Sequence, residues 1–579
     1  MIGLFLRVWQ VGSIPVSLFG DEIDVGLQAY SILTTGNDYL GNRLPVLFHS
    51  FSEYRLPMQL YLSVPFIKLF GLNEVGVRTT SVLMGYLSLI FFYLLIRKIS
   101  NNKMAAIATL FMLFSPWHFN FSRQANDAGI LLPFILAGTW SYLLGLKNNK
   151  YLVLSAVLFA LSIYSYAIST LFTPLFVFSL LLIYRKELLK YKPKYLFMAG
   201  AFGLIVLSPY INQVIAGTAS SRFSYISVLN KDDLISEVIK ERSWSDSKIS
   251  RLFYNKYTAA SYKLTNNYLK SISSDFLFAS GDPNGRQSVS GFGMMYHFDI
   301  ILVAIGSFVL IYKLVFEKYK PLRDFSTSST LDASLRIAGM KNSLRELESA
   351  NVNRGFKRKE NLLILAWLFL APLPSILTKD GGTHASRLIL LLPPLIYLSA
   401  TGFEQLLNKS KNIKYKIIII LFILVMFFDV GRFIHRYFVI WPNEGWRIWQ
   451  YGFKDVITDV KKVDADYKRI YFNNTYEPIL PRFLFWYGYD MNLFQEQFTG
   501  DIHIEGIIPG FNGYSLGDKY YFGELVKPIE PLAKKGHLVV ASGEHDVTDP
   551  SIFKRSDLKL INTYYSPTNV PIFYTYTSN

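Results

Sequence analysis

Apolar and polar positions alternate along this chain on a long scale. Apolar runs recur at 77–97, 103–121, 127–146, 151–168, 169–184, 195–213, 298–316, 361–378, 388–407 and 416–434. A membrane span takes about 20 apolar residues, so each run reads as a transmembrane helix. The stretch from 151 to 184 divides at the turn-like "YSYAIST". The opening "MIGLFLRVWQVGSIPVSLFG" is apolar but interrupted by Arg7 and Pro15. It carries no small-residue cleavage site of a signal peptide. It reads as a short tilted helix or as the remainder of a segment that starts upstream of Met1, and the second reading is preferred. The expected fold class is mainly α, a polytopic membrane protein with about 11 transmembrane helices.

The polar connections orient these helices. "RKISNNK" (97–103), "KNNK" (147–150), "YRKELLKYKPK" (184–194) and "NKSKNIKYK" (408–416) are rich in Lys and Arg. The 312–360 stretch carries eleven Lys/Arg against six Asp/Glu. They alternate with poorly basic connections at 119–127 and 378–387. Basic loops stay in the cytoplasm, so all of these fall on one side. Residues 18–76 (first loop) and 214–297 (long loop) then lie on the extracytoplasmic side, with 317–360 as a cytoplasmic loop. The tail, 436–579, mixes the helix-like "EGWRIWQYGFKDVITDVKKV" with the strand-like "RIYFNN", "HLVVAS" and "PIFYTYT". It reads as a small extracytoplasmic α/β domain following a transmembrane domain, 1–435. Within the first loop, "LPMQLYLSVPFIKLFGL" (56–72) suggests a pair of interfacial helices that could roof a groove open to a lipid tail.

Composition agrees. The chain is 51% hydrophobic and 17% charged, where soluble domains carry about 25% charged residues. The net charge of +17 is spread over short clusters between apolar runs, which argues against nucleic acid as a partner. The absence of cysteine removes disulfides, thiolate metal sites and cysteine nucleophiles. No HExxH motif, Walker loop or GxGxxG after a strand occurs, so ATP and dinucleotide chemistry are not indicated.

The informative polar stretch is "SLFGDEIDVGLQAYS", 17–31, which places Asp21, Glu22 and Asp24 at the extracytoplasmic end of the first apolar segment. At the same level lie Arg55, Arg123, Asp127, His297, His384 and Arg387, with His118 nearby. The spans themselves are almost free of charge, which argues for a site at one face and not an ion pathway. Arginines read phosphate through bidentate hydrogen bonds. A carboxylate within reach of a hydroxyl can act as its general base. Asp24 reads more simply as a helix cap or a solvated acid, and Asp127 as either a cap or a site residue. Arg43 and Lys68 read as snorkelling interface cations.

The series "FGDEIDVGLQAYSILTTGND", "YRLPMQLYLSVPFIKLFGLNEVGVRTTSVLMG", "SPWHFNFSRQANDAG" and "THASRLILLLPP" resembles the membrane glycosyltransferases of the GT-C superfamily. Within it, the series is similar to the family 39 enzymes, which include protein O-mannosyltransferases and lipid A aminoarabinose transferases. The resemblance spans about residues 1–435. It implies transfer of a sugar from a polyprenyl-phosphate donor to an acceptor hydroxyl of a protein, lipid or glycan, with inversion, at the extracytoplasmic face of the plasma membrane. It further implies Asp21 as general base, followed by Glu22, and Asp127 as a second acid shaping the site. Arg55, in place of the family's usual basic position, together with His384 and Arg387, would contact the donor phosphate. Arg78 matches a frequent family arginine, and Arg123 and His297 are further candidate substrate contacts. No cofactor is required on this reading; a divalent cation is chemically possible but not expected.

Three other readings remain. An oligosaccharyltransferase would carry a Trp-Trp-Asp-Tyr-Gly motif in its tail, and the nearest string here, "WQYG" (449–452), lacks the acid. A lipid-glycan ligase would be expected without the early Asp-Glu pair. A transporter of lipid-linked sugars would tend to show internal repeats and broken helices, and no repeat is seen.

Overall fold

The computed structural model describes residues 2–50, 54–190, 193–217, 227–244, 249–316, 358–409, 413–498, 504–525 and 532–579. Most of the cytoplasmic loop expected at 317–360 lies outside the described residues.

Every apolar run forms a helix. Among the described residues seven helices are long and apolar enough to cross a membrane: Glu74–Ile99, Asp127–Gly145, Pro193–Ile215, Asp299–Phe316, Arg358–Ile376, Ala385–Asn408 and Tyr415–Glu444. Three other runs form the shorter apolar helices Asn102–Phe114, Lys150–Ile163 and Ser169–Ile183. At about 1.5 Å per residue each is roughly 20 Å long, short of a bilayer core of about 30 Å. Their early ends have local causes. Pro116 breaks the run after Phe114 and opens a separate helix, Pro116–Phe121; its ring cannot continue the preceding turn. The "YSYAIST" turn separates the other two. The opening segment forms only the seven-residue helix Ile2–Val8. Seven helices thus reach spanning length, against about eleven expected.

Asparagines fix several starts. The side chains of Asn73, Asn101 and Asn126 accept from the amides of Gly76, Met104 and Ala128, satisfying donors that a helix start leaves orphaned. Glycines set the closest packing. A Cβ on Gly306 would lie 2.0 Å from the Leu398 carbonyl oxygen, and one on Gly402 would lie 2.1 Å from that of Leu302. The helices carrying them meet backbone to backbone, as small residues allow in membranes.

The first loop forms a helix, Gly20–Thr35, then the paired strands β1 (Phe48–His49) and β2 (Tyr54–Arg55). One helix follows, Met58–Phe70, where two were expected; Pro65 lies inside it.

Among the described residues the tail holds a seven-stranded sheet of β3 (Arg469–Asn473), β4 (Ile504–Ile508), β5 (Phe511–Leu516), β6 (Tyr520–Leu525), β7 (His537–Ser542), β8 (Leu558–Tyr565) and β9 (Pro571–Ser578). The order is β4-β5-β6-β3-β7-β9-β8. β3 pairs parallel with β6 and β7, and the other pairs are antiparallel. The strand-like runs at 469, 537 and 571 are strands β3, β7 and β9. The helix-like run becomes the amphipathic helix Phe453–Val463, whose Val456, Ile457 and Val460 pack on one face of the sheet. The last long helix runs on to Glu444, past the expected division at 435/436. Leu27 and Tyr39 of the first loop belong to the same apolar core as β3, β6 and β7. The helix Gly20–Thr35 is therefore shared between the helical part and the sheet.

Candidate active site

Asp21 stands in the first turn of the helix Gly20–Thr35, where the helix dipole favours a carboxylate. Its side chain is 60% exposed, and its Oδ2 lies 3.6 Å from Arg286 Nη1. The neighbouring Glu22 is buried. Its two oxygens accept from Nε and Nη2 of Arg78, each at 3.0 Å, and Oε1 also accepts from the Ala125 amide at 2.8 Å. Arg78 donates further to the carbonyls of Val11, Pro15 and Ser17. All five N–H groups of its guanidinium are thus engaged. Glu22 and Arg78 form a clamp that ties the turn before Asp21 to the connection before Asp127, and neither lines the cavity described next.

That cavity, about 390 Å³, lies at one end of the spans. Asp21, Arg55, Asp127, His384 and Arg387 line it, together with Arg286. Leu171, Pro374 and Leu377 give it an apolar flank, and Tyr54, Tyr166 and Tyr210 bring three aromatic rings. Asp127 and Arg387 line the cavity from the starts of Asp127–Gly145 and Ala385–Asn408, and the basic connection at 147–150 and Lys409 follow the other ends of these helices.

The charges around the cavity are paired to different degrees. Arg55 donates from Nη1 to Asp24 Oδ2 at 3.0 Å and to the Asp21 carbonyl at 2.9 Å, and its Nη2 lies 3.6 Å from Asp127 Oδ2. Burial works against the Arg55 cation, but the carboxylates of Asp127 and Asp24 outweigh it and strengthen its hold on the proton. Asp24 is buried in this pair, neither a cap nor a solvated acid. Burial pushes its carboxyl up to about 6, against the opposing pull of Arg55. Arg387 donates to Thr378 Oγ1 at 2.7 Å and to Asp380, whose side chain is 65% exposed. Burial, and then the Arg387 charge, bring the His384 imidazole down to about 4, so it is neutral at pH 7. Among the described residues its buried Nδ1 has no hydrogen-bond partner.

Arg286 is the charged cavity residue that reading the sequence missed. It lies on the loop "DPNGRQS" (282–288), which is built from side-chain turns: Asp282 accepts from the Asn284 amide at 2.8 Å, and Asn284 from the Arg286 amide at 3.1 Å. The loop is stitched to the His384 segment, because Asp282 accepts from the Ala385 amide at 2.7 Å and Gln287 from the Ser386 amide at 3.1 Å. The Arg286 guanidinium stacks 3.4 Å above the Phe19 ring, an attractive placement for a cation. Burial raises the Asp282 carboxyl to about 6. The concentration of Asp, Pro, Asn and Gly around one arginine was the available signal.

The other candidates lie elsewhere. Arg123 is buried and donates to the carbonyls of Leu6, Arg7 and Ile14. His297 is half-exposed, 3.7 Å from Asp429. His118 is wedged between Arg7 and Ser88, 2.7 Å from each. None of the three lines the cavity. Among the described residues no group of three or more His, Asp or Glu side chains is arranged to hold a metal ion.

Residues 55–212 match the family described as dolichyl-phosphate-mannose-protein mannosyltransferase. No curated protein matches the chain. Among solved structures it is similar to ArnT from Cupriavidus metallidurans bound to undecaprenyl phosphate, at 12% identity and TM-score 0.47, covering 99% of this chain and 97% of that one. It is also similar to the Archaeoglobus fulgidus oligosaccharyltransferase in complex with Zn and sulfate, at 10% identity and TM-score 0.48, covering 99% of this chain and 72% of that one.

Proposed function

We propose that this chain is a GT-C membrane glycosyltransferase that moves a sugar from a polyprenyl-phosphate donor to an acceptor hydroxyl, with inversion. The observation that carries the reading is one cavity lined by an exposed carboxylate, Asp21, 3.6 Å from Arg286, and by Arg387 and a neutral His384. The family match over residues 55–212 supports it. The site then lies on the extracytoplasmic side of the plasma membrane, because the basic connection at 147–150 and Lys409 follow the other ends of the helices that start at Asp127 and Ala385. Residues 1–435 carry the chemistry and 436–579 form the extracytoplasmic domain.

Asp21 takes the proton from the acceptor hydroxyl. The acceptor oxygen forms its bond to the anomeric carbon as the bond from that carbon to the phosphate oxygen breaks, and the lipid phosphate leaves with the electron pair. A single displacement inverts the anomeric configuration. Fixed cations favour the step where negative charge grows on the leaving phosphate. Arg387 and Arg286 suit that role better than Arg55. The Arg387 partner, Asp380, is 65% exposed, so water can solvate that carboxylate when Arg387 turns to a phosphate. Arg55 is held by Asp24 and Asp127 in a buried cluster, and breaking a buried pair costs about 3–5 kcal/mol. Arg55 therefore braces the acids. Phosphate binding draws Arg286 from Asp21 and leaves the carboxylate open to the acceptor. His384 can donate one neutral hydrogen bond to a phosphate oxygen.

The test is to supply purified protein with a panel of radiolabelled polyprenyl-phosphate sugars and a membrane acceptor fraction. Transfer with an inverted anomeric centre, read by NMR, is expected. Retention of configuration, or movement of intact donor across a vesicle without transfer, would overturn the proposal.

A further inference from the structure

The helix that carries Asp21 starts at an N-cap residue whose side chain cannot accept a hydrogen bond. That residue, Phe19, has no side-chain oxygen, and the Glu22 carboxylate accepts from the Phe19 amide at 3.3 Å, yet a helix start leaves several amides without partners. The Gly20 amide finds its acceptor 430 residues away, on Gln450 Oε1 of the tail, at 3.0 Å. The same oxygen accepts from Arg482, which also donates to the Pro478 carbonyl and stacks 4.8 Å from the Phe453 ring. Gln450 is buried and is one of four non-glycine residues with positive φ among the described residues, at φ 53°. A non-glycine residue held there is strained and persists only where its surroundings require it. Its neighbour Trp449 lies under the Arg78 guanidinium, 5.8 Å from ring to cation. The turn 449–450 thus touches both supports of Asp21: the Arg78–Glu22 clamp and the first free amide of the helix. Space is tight, since a Cβ on Gly20 would approach Arg482 Nη2 to 3.3 Å.

We propose that Gln450 is a positioning residue for Asp21: the tail domain caps the catalytic helix from outside through the Gln450 side-chain oxygen, with Arg482 orienting that oxygen. This rests on the reading of Asp21 as general base. It gives the tail a part in the reaction without direct contact with the reacting atoms. A base displaced by about 1 Å can lose on the order of 100-fold in rate, so a cap that fixes the first turn acts on kcat and not on donor affinity.

The experiment compares Gln450→Gly and Gln450→Glu with the full-length wild type in nanodiscs. Gly removes the oxygen and also relieves the positive φ, which limits any loss of stability; Glu keeps an acceptor oxygen beside Arg482. The readouts are kcat, donor KM, the unfolding midpoint, and hydrogen exchange of the peptide covering residues 19–25. For Gln450→Gly, a kcat lowered by about 10- to 100-fold is expected, with donor KM within about twofold and faster exchange at the helix start. Gln450→Glu is expected to recover most of the kcat and the protection. Unchanged exchange and kcat in Gln450→Gly would overturn the proposal, as would an equal loss in both variants. A wild type that transfers no sugar while the exchange pattern changes as described would sink the functional reading and leave the cap standing.

Discussion

The Glu22–Arg78 clamp gives the sharpest energetic prediction. Glu22 has an acidic neighbour in Asp21, and the sequence alone grouped the two as catalytic. The structure gives Glu22 two bonds from Arg78 and one from the Ala125 amide, all buried. Replacing Glu22 by Ala leaves a buried guanidinium with three carbonyls but no anion. Removing one partner of a buried pair costs about 3–5 kcal/mol, and the orphaned Ala125 amide adds about 1–3 kcal/mol. A loss of at least about 3 kcal/mol is therefore expected for Glu22→Ala. Arg78→Met should cost a similar amount. The double variant Glu22→Met with Arg78→Met should cost less than the sum of its parts, by about 2 kcal/mol or more, because no charge is then left alone. The assay is a double-mutant cycle by SDS-induced unfolding in mixed micelles, followed through the tryptophans. Additive losses would refute the clamp. So would a Glu22→Ala protein as stable as wild type whose activity alone is gone, because Glu22 would then belong to the chemistry.

Other predictions follow from the same geometry. Arg387→Ala and Arg286→Ala should each weaken donor binding by about tenfold or more, since a hydrogen bond to a charged group contributes about 1.5–3 kcal/mol; isothermal titration with a short-chain polyprenyl phosphate checks this, and unchanged affinity would remove that arginine from the phosphate site. Gly402→Leu should separate two helices whose backbones touch and lower the unfolding midpoint, while a surface change such as Lys559→Ala should not. The groups beside the cavity give opposite pH slopes. His384 holds its proton more weakly folded than unfolded, down at about 4, so its contribution to stability falls as pH drops from about 6.5 towards 4. Asp282 holds its proton more strongly, up at about 6, so its contribution falls as pH rises from about 4 towards 6. The stability difference between wild type and His384→Gln should therefore shrink as the solution is acidified, and that between wild type and Asp282→Asn should move the other way, both read from unfolding curves at pH 4 to 7.

The helices were legible because a bilayer demands long apolar runs, and those runs have few alternative folds. Their lengths were less so: the stop at Phe114 depends on Pro116 and the break at Tyr164 on a turn, and both interrupt segments whose composition remains apolar throughout. Asp21, Arg55, Asp127, His384 and Arg387 could be singled out because each stands at the polar margin of an apolar run, and the fold brings these five to one cavity. Glu22 and Arg78 carry the same kind of signal, yet they are 56 residues apart and pair with each other; nothing local distinguishes a clamp from a catalytic pair. Arg286 stands in a polar loop without periodicity, where the only cue is turn chemistry. The position of Gln450 against Gly20 depends on how a tail of seven strands docks on the first loop, a tertiary fact with no local pattern behind it.

The central claim is that Asp21 does the proton transfer while separate cations hold the donor. The direct measurement is a paired one on wild type and Asp21→Asn: single-turnover transfer from a radiolabelled polyprenyl-phosphate sugar, and equilibrium binding of the same donor to the same preparations. Transfer in Asp21→Asn should fall by about 100-fold or more, within the range supplied by a general base, while donor affinity stays within about threefold, less than one hydrogen bond's worth. Equal transfer by both proteins, or a loss of transfer explained entirely by lost donor binding, would contradict the account.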